Sequence, residues 1–371
     1  MDGKVFKYFQ IDSGSPLWND WHWQYRNRIT DADTLAEIIT LTDEEKRDIQ
    51  KCLATYPMAI TPYYASLMSE GDRSCPIRMQ AVPCIKESIV HEGEMVDPLD
   101  EEKSSPVPNI VHRYPDRVLF LVSRQCAMYC RHCVRKVKVA EEGFCLNEDE
   151  IRAAIGYIER TPAIRDVLIS GGDPLAMGDD FLEDILARLH RIEHLDIIRI
   201  GTRMPVVLPM RITGSLVKML RKYHPLWINT QFNHPKELTR QAIEACAEIV
   251  DGGIPLGNQS VLLRGINDDY ETMKGLLLGL VKARIRPYYL YQCDLSEGIG
   301  HFRTRTDTGV KLIEQLTGNI TGFAVPKYVI DTPEGGKIPI NPEYVVSCEN
   351  GEMILRNYQG RMFRYKEYIT E

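Results

Sequence analysis

The chain has no apolar run near the ~18 residues that a membrane-spanning helix needs. Its opening, MDGKVFKYFQIDSGS, contains no apolar signal core. Basic residues are not in excess: 45 Lys and Arg stand against 52 Asp and Glu, a net charge of −7. A non-specific nucleic-acid binder needs spare cations for phosphates, so that class is excluded. Ten cysteines in 371 residues are too few for a dense disulfide scaffold, and Cys52, Cys75, Cys84, Cys246, Cys293 and Cys348 lie singly, as small buried hydrophobes do. No internal repeat is visible. What remains is a globular chain, 44% hydrophobic and 26% charged, able to bury a sizeable core. A reducing cytoplasm is the expected compartment, with neither membrane nor nucleic acid as a partner.

Against that background one stretch stands out: Cys126-Ala-Met-Tyr-Cys130-Arg-His-Cys133, directly behind the apolar run Arg117-Val-Leu-Phe-Leu-Val122. Three thiols at C-x3-C-x2-C spacing on a loop leaving a strand can converge on one inorganic centre. Structural zinc wants four protein ligands in a closed tetrahedron. A cubane iron–sulfur cluster held by three cysteines leaves one iron open to a small molecule. The competing readings are a zinc site completed by Cys145, or three buried thiols with no ligand. The spacing resembles the radical S-adenosylmethionine (SAM) superfamily, in which methionine's amino and carboxylate groups occupy the open iron.

Residues 1–110 read as a mainly helical lead-in. Trp18, Trp21 and Trp23 cluster within PLWNDWHWQYRNRI and call for burial. Thr42, with Glu45 three positions on, is a capping box for a helix over LTDEEKRDIQKCLATY, and a second helix is expected from Thr61 in TPYYASLMSE. The acid-, serine- and proline-rich DPLDEEKSSPVPNI reads as an extended connector. From Arg117 short apolar runs alternate with amphipathic helices such as NEDEIRAAIGYIER and DDYETMKGLLLGLVKARI. The strand candidates are 118–122, 166–170, 196–200, 226–229, 259–263 and 287–291. Such alternation predicts βαβ units, a parallel sheet and an α/β fold, and six units before a distinct tail predict an incomplete barrel. Ligands then belong beyond the strands' carboxyl ends. The cysteine triplet, Ser170-Gly-Gly-Asp-Pro174, Gly201-Thr-Arg203, Gln231-Phe-Asn-His234, Arg264-Gly265 and Tyr291-Gln-Cys-Asp294 all fall there.

Together, CAMYCRHC, HRYPDRV, VLISGGD, TRMPVVLP, FNHP, PLGNQSVLLRGIND, RPYYLYQCDLS and HFRT resemble the lysine 2,3-aminomutase family, from the WNDW segment to about residue 365. The resemblance implies a radical SAM partial (β/α)6 barrel over residues 111–300. A mainly helical region over 1–110 would precede it, and a segment over 301–371 bearing the pyridoxal 5′-phosphate (PLP) lysine would follow. It implies an isomerase that moves an α-amino group to the β-carbon with a 4Fe-4S cluster, SAM and PLP. Cys126, Cys130 and Cys133 would hold the cluster, and Gly171, Gly172 and Asp173, with His132 and Gln259, would surround SAM. Lys337 would carry PLP, with Arg113 and Arg117 on its phosphate, a role guanidinium forks suit. Arg135 would bind the substrate carboxylate, and Asp294 and Asp331 its distal ammonium. Two acids facing one pocket demand a cation, so the expected substrate is L-lysine, giving β-lysine, reached with the help of an electron donor.

Three departures from the family pattern bear on these expectations. Glu334-Gly335-Gly336 is one glycine shorter than expected before Lys337, and Glu297 replaces an apolar residue; with its added acid, arginine is the competing substrate. Gln231 stands where a histidine is expected near SAM. Asp269 replaces a cysteine expected to pair with a cysteine-rich carboxyl-terminal extension that this sequence does not contain. A homo-oligomer, dimer or tetramer, is therefore expected to assemble without zinc. A non-catalytic zinc-binding protein on the same fold is the remaining reading.

Overall fold

The computed structural model describes residues 3–12, 14–136, 138, 146–333 and 335–367. Its centre is a nine-stranded sheet in sequence order: β1 (Ile110–Tyr114), β2 (Arg117–Ser123), β3 (Asp166–Gly171), β4 (Ile197–Gly201), β5 (Leu226–Thr230), β6 (Leu256–Leu262), β7 (Arg286–Gln292), β8 (Lys327–Thr332) and β9 (Gly336–Pro339). Strands β2 to β8 are parallel, while β1 and β9 are antiparallel edges. Each of β2 to β7 is followed by a helix, giving six β/α units and a seventh parallel strand. All six strand candidates coincide with β2–β7, shifted by one to three residues at their ends. A second sheet, β10 (Val345–Glu349), β11 (Glu352–Arg356) and β12 (Met362–Lys366), follows.

The barrel is incomplete because β1 and β9 do not pair. Along β2, β3 and β4 alternate residues behave differently: Val118, Phe120, Val122, Val167, Ile169, Ile198 and Ile200 are buried against the helices. Their neighbours Arg117, Leu119, Asp166, Leu168, Ser170 and Arg199 face an interior cavity and are only half-buried. The period of two therefore makes one face a core and the other a binding surface. The helices meet the sheet through apolar stripes, such as Met273, Leu276, Leu277 and Leu280 on the helix Tyr270–Lys282.

The amino-terminal region is built from short helices around buried Trp18, Leu35, Ile60, Tyr63 and Tyr64. The capping box at Thr42 forms, with Thr42 N–H and Glu45 N–H bonded to each other's side chains, and starts the helix Asp43–Leu53. The second helix is a single turn, Pro62–Ala65, because the chain beyond it leaves through turns that pack on the core. The connector also differs from its sequence expectation. It is folded into turns over the barrel, with Met95 paired to Leu295 and Glu297 and with Glu101 buried.

One buried charge joins this region to the cysteine loop. Glu87 is fully enclosed and takes hydrogen bonds from Arg131 and an ammonium at 2.6 Å from Lys136. Burial opposes its charge, yet these two cations hold its carboxyl below the usual range. Glu87→Ala would leave two buried cations without a counter-ion. It should lower the stability of the iron-free protein by roughly 3–5 kcal/mol, read as a lower urea midpoint.

Candidate active site

The interior faces of the strands and the loops at their carboxyl ends enclose a cavity of about 490 Å3. All fourteen site residues expected from sequence line it: Arg113, Arg117, Cys126, Cys130, His132, Cys133, Arg135, Gly171, Gly172, Asp173, Gln259, Asp294, Asp331 and Lys337.

At one end lies the loop of three thiols. It has no regular secondary structure, so its backbone is held from outside: Tyr129 N–H donates to Ala59 O at 3.0 Å and Arg131 N–H to Gln80 O at 2.9 Å. Arg28 donates to Cys126 O at 2.6 Å. On the other side the Gly171–Gly172 backbone presses against Ser123–Gln125. Gly172 N–H meets Ser123 O at 2.5 Å, and Asp173 N–H meets Gln125 O at 2.7 Å. A Cβ at either glycine would overlap those carbonyl oxygens, and Gly171 has φ +124°, so glycine is required twice. The Asp173 carboxylate accepts from Thr202 Oγ1 and Arg203 N–H, both at 2.7 Å, and from Leu175 N–H at 3.0 Å. Burial nevertheless raises its pKa to about 6.

The thiols themselves are strained electrostatically. Burial first, and then the neighbouring Asp173 and thiols, push Cys126 well up; burial and Cys130 push Cys133 to about 11. A positively charged iron centre would relieve that cost by taking the thiolates. Among the described residues no three His, Cys, Asp or Glu side chains are arranged to hold one metal ion. Cys145 lies outside the described residues. A cubane spreads its thiolates over three irons, which suits this donor set. At the cavity wall, His132 Nδ1 and Thr230 Oγ1 are buried with no partner among the described residues, and burial keeps the His132 ring neutral. Orphaned polar atoms of this kind fit a polar ligand such as SAM.

The far end is set by the open seam of the barrel. Arg113 on β1 donates to Asp331 Oδ1 at 3.1 Å and to Thr332 O at 2.7 Å, both on β8. Lys337 on β9 donates its N–H to the Tyr114 hydroxyl at 2.8 Å, while its Nζ contacts Asp331 Oδ2 at 2.8 Å. Side chains thus bridge the gap that the backbone leaves. Arg117 lies over the Tyr114 ring at 4.0 Å and, among the described residues, pairs with its neighbour Asp116 through Nη1, so its fork has donors to spare. A lysine at the wall, a spare guanidinium and the rings of Tyr114 and Tyr291 fit PLP.

Two groups define the remaining charge. Arg135 is paired with Glu101 through Nε at 2.9 Å and Nη2 at 2.5 Å. Burial opposes its charge, but Glu101 keeps it fully protonated. Asp294 is half-buried and has no ion-pair partner among the described residues. Burial, and then the Asp331 charge, raise its pKa to about 7.

Some functional groups escape sequence reasoning. Glu101 sits in a stretch whose composition says only connector. Arg199, which pairs with Asp166 at 2.8 Å, reads as one more polar residue of a strand. Arg203 was within reach, since it lies in a strand-end loop, but nothing in the spacing aims it at Cys130, to which it donates at 2.7 Å. Glu297, by contrast, is not among the cavity-lining residues; its backbone is tied to Met95. Gln231 does line the cavity. Glu334 lies outside the described residues.

Comparison with known proteins agrees with this architecture. The family model described as the radical SAM superfamily matches residues 120–277, and that described as lysine-2,3-aminomutase matches residues 313–370. The chain is 54% identical over 373 residues to the L-lysine 2,3-aminomutase of Methanococcus maripaludis, covering 99% of this chain and 86% of that one. Against the L-lysine 2,3-aminomutase of Clostridium subterminale identity is 50%, covering 95% and 85%. Against the glutamate 2,3-aminomutase of Clostridioides difficile it falls to 43%, covering 94% and 83%. With half or more of its residues shared along almost its whole length, the chain belongs to the lysine 2,3-aminomutase family of radical SAM enzymes.

Proposed function

We propose that this protein is an L-lysine 2,3-aminomutase, an isomerase that moves the α-amino group of L-lysine to C3 and yields β-lysine. The observation that carries the substrate is Asp294, which has no ion-pair partner among the described residues. Asp331 is already neutralised by Arg113 and Lys337, and Arg135 by Glu101. Among the described residues Asp294 has no ion-pair partner, and it lies within the electrostatic reach of Asp331 and Arg135. An amino acid with a distal ammonium answers Asp294, and its carboxylate lies toward Arg135, where it competes with Glu101 for the guanidinium. Glutamate would bring a third carboxylate to the same place, where like charges in a cleft are costly. The arginine reading rested on an added acid at Glu297, which is not on the cavity wall.

When bound, the cluster with SAM supplies a carbon-centred radical, and PLP supplies an aldehyde that carries the migrating nitrogen. Cys126, Cys130 and Cys133 hold the cluster in this reading, and Gly171, Gly172, Asp173, His132 and Gln259 border SAM. Lys337 anchors PLP, with Arg117 and Arg113 toward its phosphate. Arg135 and the two aspartates fix the ends of the substrate, so that C3 rather than another carbon meets the radical source; positioning of this kind supplies much of the rate. The enclosing loops keep water from a reactive centre. Reduced thiols and an oxygen-sensitive cluster suit the cytoplasm, and no helix among the described residues is long and apolar enough to cross a membrane.

Reduced, reconstituted protein given lysine, arginine or glutamate separately should convert lysine to β-lysine. Conversion of arginine alone would establish the competing substrate. Asp294→Asn should raise the KM for lysine on the order of 100-fold, from loss of about 3 kcal/mol of buried charge pairing. The pH dependence has a definite sign. Protonated Asp294 cannot hold an ammonium, so the wild-type KM should rise as pH falls through about 7, and the variant should lack that rise. Lys337→Ala should abolish the absorbance of covalently attached PLP; an unchanged spectrum would remove Lys337 from its role.

A further inference from the structure

We infer that Arg203 is a positioning residue for the cluster: it donates a charged N–H to the sulfur of Cys130 and so makes the loaded cluster easier to reduce. The inference rests on the reading that Cys126, Cys130 and Cys133 hold that cluster.

Arg203 is 7% exposed, and every arm of its guanidinium has a fixed partner. Nη2 donates to Gln80 Oε1 at 2.6 Å and Glu237 Oε1 at 2.7 Å, and Nε donates to Gln231 O at 3.1 Å. Nη1 remains and points at Cys130 Sγ, 2.7 Å away. The backbone N–H of the same residue is held by Asp173. The fork is therefore immobilised from three elements before it reaches the sulfur.

A simpler account makes Arg203 only the counter-ion of buried Glu237. Glu237 is already well supplied, however: Tyr64 Oη donates to it at 2.7 Å, Asn233 N–H at 2.6 Å and His234 N–H at 3.0 Å. That leaves the aim of Nη1 unexplained. The three thiols are also treated unequally. Among the described residues, Cys130 Sγ takes a hydrogen bond from a cation, and neither Cys126 Sγ nor Cys133 Sγ does.

Reduction places one electron from an external low-potential donor on the cluster, and part of the added charge spreads to its cysteine sulfurs. A buried cation donating to one sulfur stabilises the reduced state more than the oxidised one, which raises the potential.

The test is a redox titration of the cluster, followed by electron paramagnetic resonance, in wild-type protein, Arg203→Met and Arg203→Lys, each with measured iron and sulfide. Fully loaded Arg203→Met should shift to a more negative potential by a tenfold change in the one-electron equilibrium, about 59 mV. Arg203→Lys keeps the charge but not the fork, and should lie between. A fully loaded Arg203→Met with the wild-type potential overturns the inference. Should that variant fail to take up iron, wild-type protein carrying 15N-guanidinium arginine decides the matter. Electron–nuclear double resonance of its reduced cluster should show coupling to that nitrogen, and absence of coupling overturns the inference. A wild-type protein that binds no iron and sulfide overturns the cluster reading itself.

Discussion

The loop Cys126–Cys133 must be rigid although it has no helix or strand of its own, and its buried backbone groups must still find partners. The molecule solves this from two sides. Residues before the barrel supply Ala59 O, Gln80 O and the Arg28 guanidinium, while the end of β3 supplies Ser123–Gln125 with a flush glycine surface. Glu87, bound to Arg131 and Lys136, locks the loop's far end. The helical lead-in is thus a back wall for the cysteine loop. Its removal would leave those hydrogen bonds and charges unpaired.

Charge bookkeeping governs the rest of the cavity. Within the protein alone, Arg113 and Lys337 share Asp331, Arg135 faces Glu101, Arg199 faces Asp166, and Arg203 faces Glu237. Groups that would bind charged ligands are in this way kept from being bare buried charges, whose cost is severe. Among the described residues Asp294 is the exception, and its enclosure, with Asp331 beside it, raises its pKa. In the proposed function, selectivity for a basic amino acid would rest on that acid as much as on the pairs already made.

Much of this was legible in the chain. Short apolar runs alternating with amphipathic helices located β2–β7, because each strand must present apolar side chains to the helices that cover it. The rule that ligands gather beyond strand carboxyl ends brought Cys126–Cys133, Gly171–Asp173 and Asp294 to one rim. What stayed hidden is tertiary. The connector composition of DPLDEEKSSP gives no sign that Glu101 will be buried against Arg135. Nor does any local pattern reveal that β8 will extend the parallel sheet or that β9 will fold back on it. Lys337 stands beside two glycines, which reads as a turn. Only its pairing across β8 and its bond to Tyr114 turn it inward.

The missing backbone pairing between β1 and β9 has a mechanical consequence. A sheet hydrogen-bonded all the way round has a fixed girth. Here the last joint is made by Arg113, Tyr114, Asp331 and Lys337, whose rotamers can change without breaking a single rung of the ladder. A molecule seated at that joint becomes a stave of the wall, and the circumference of the barrel adjusts to it rather than the reverse.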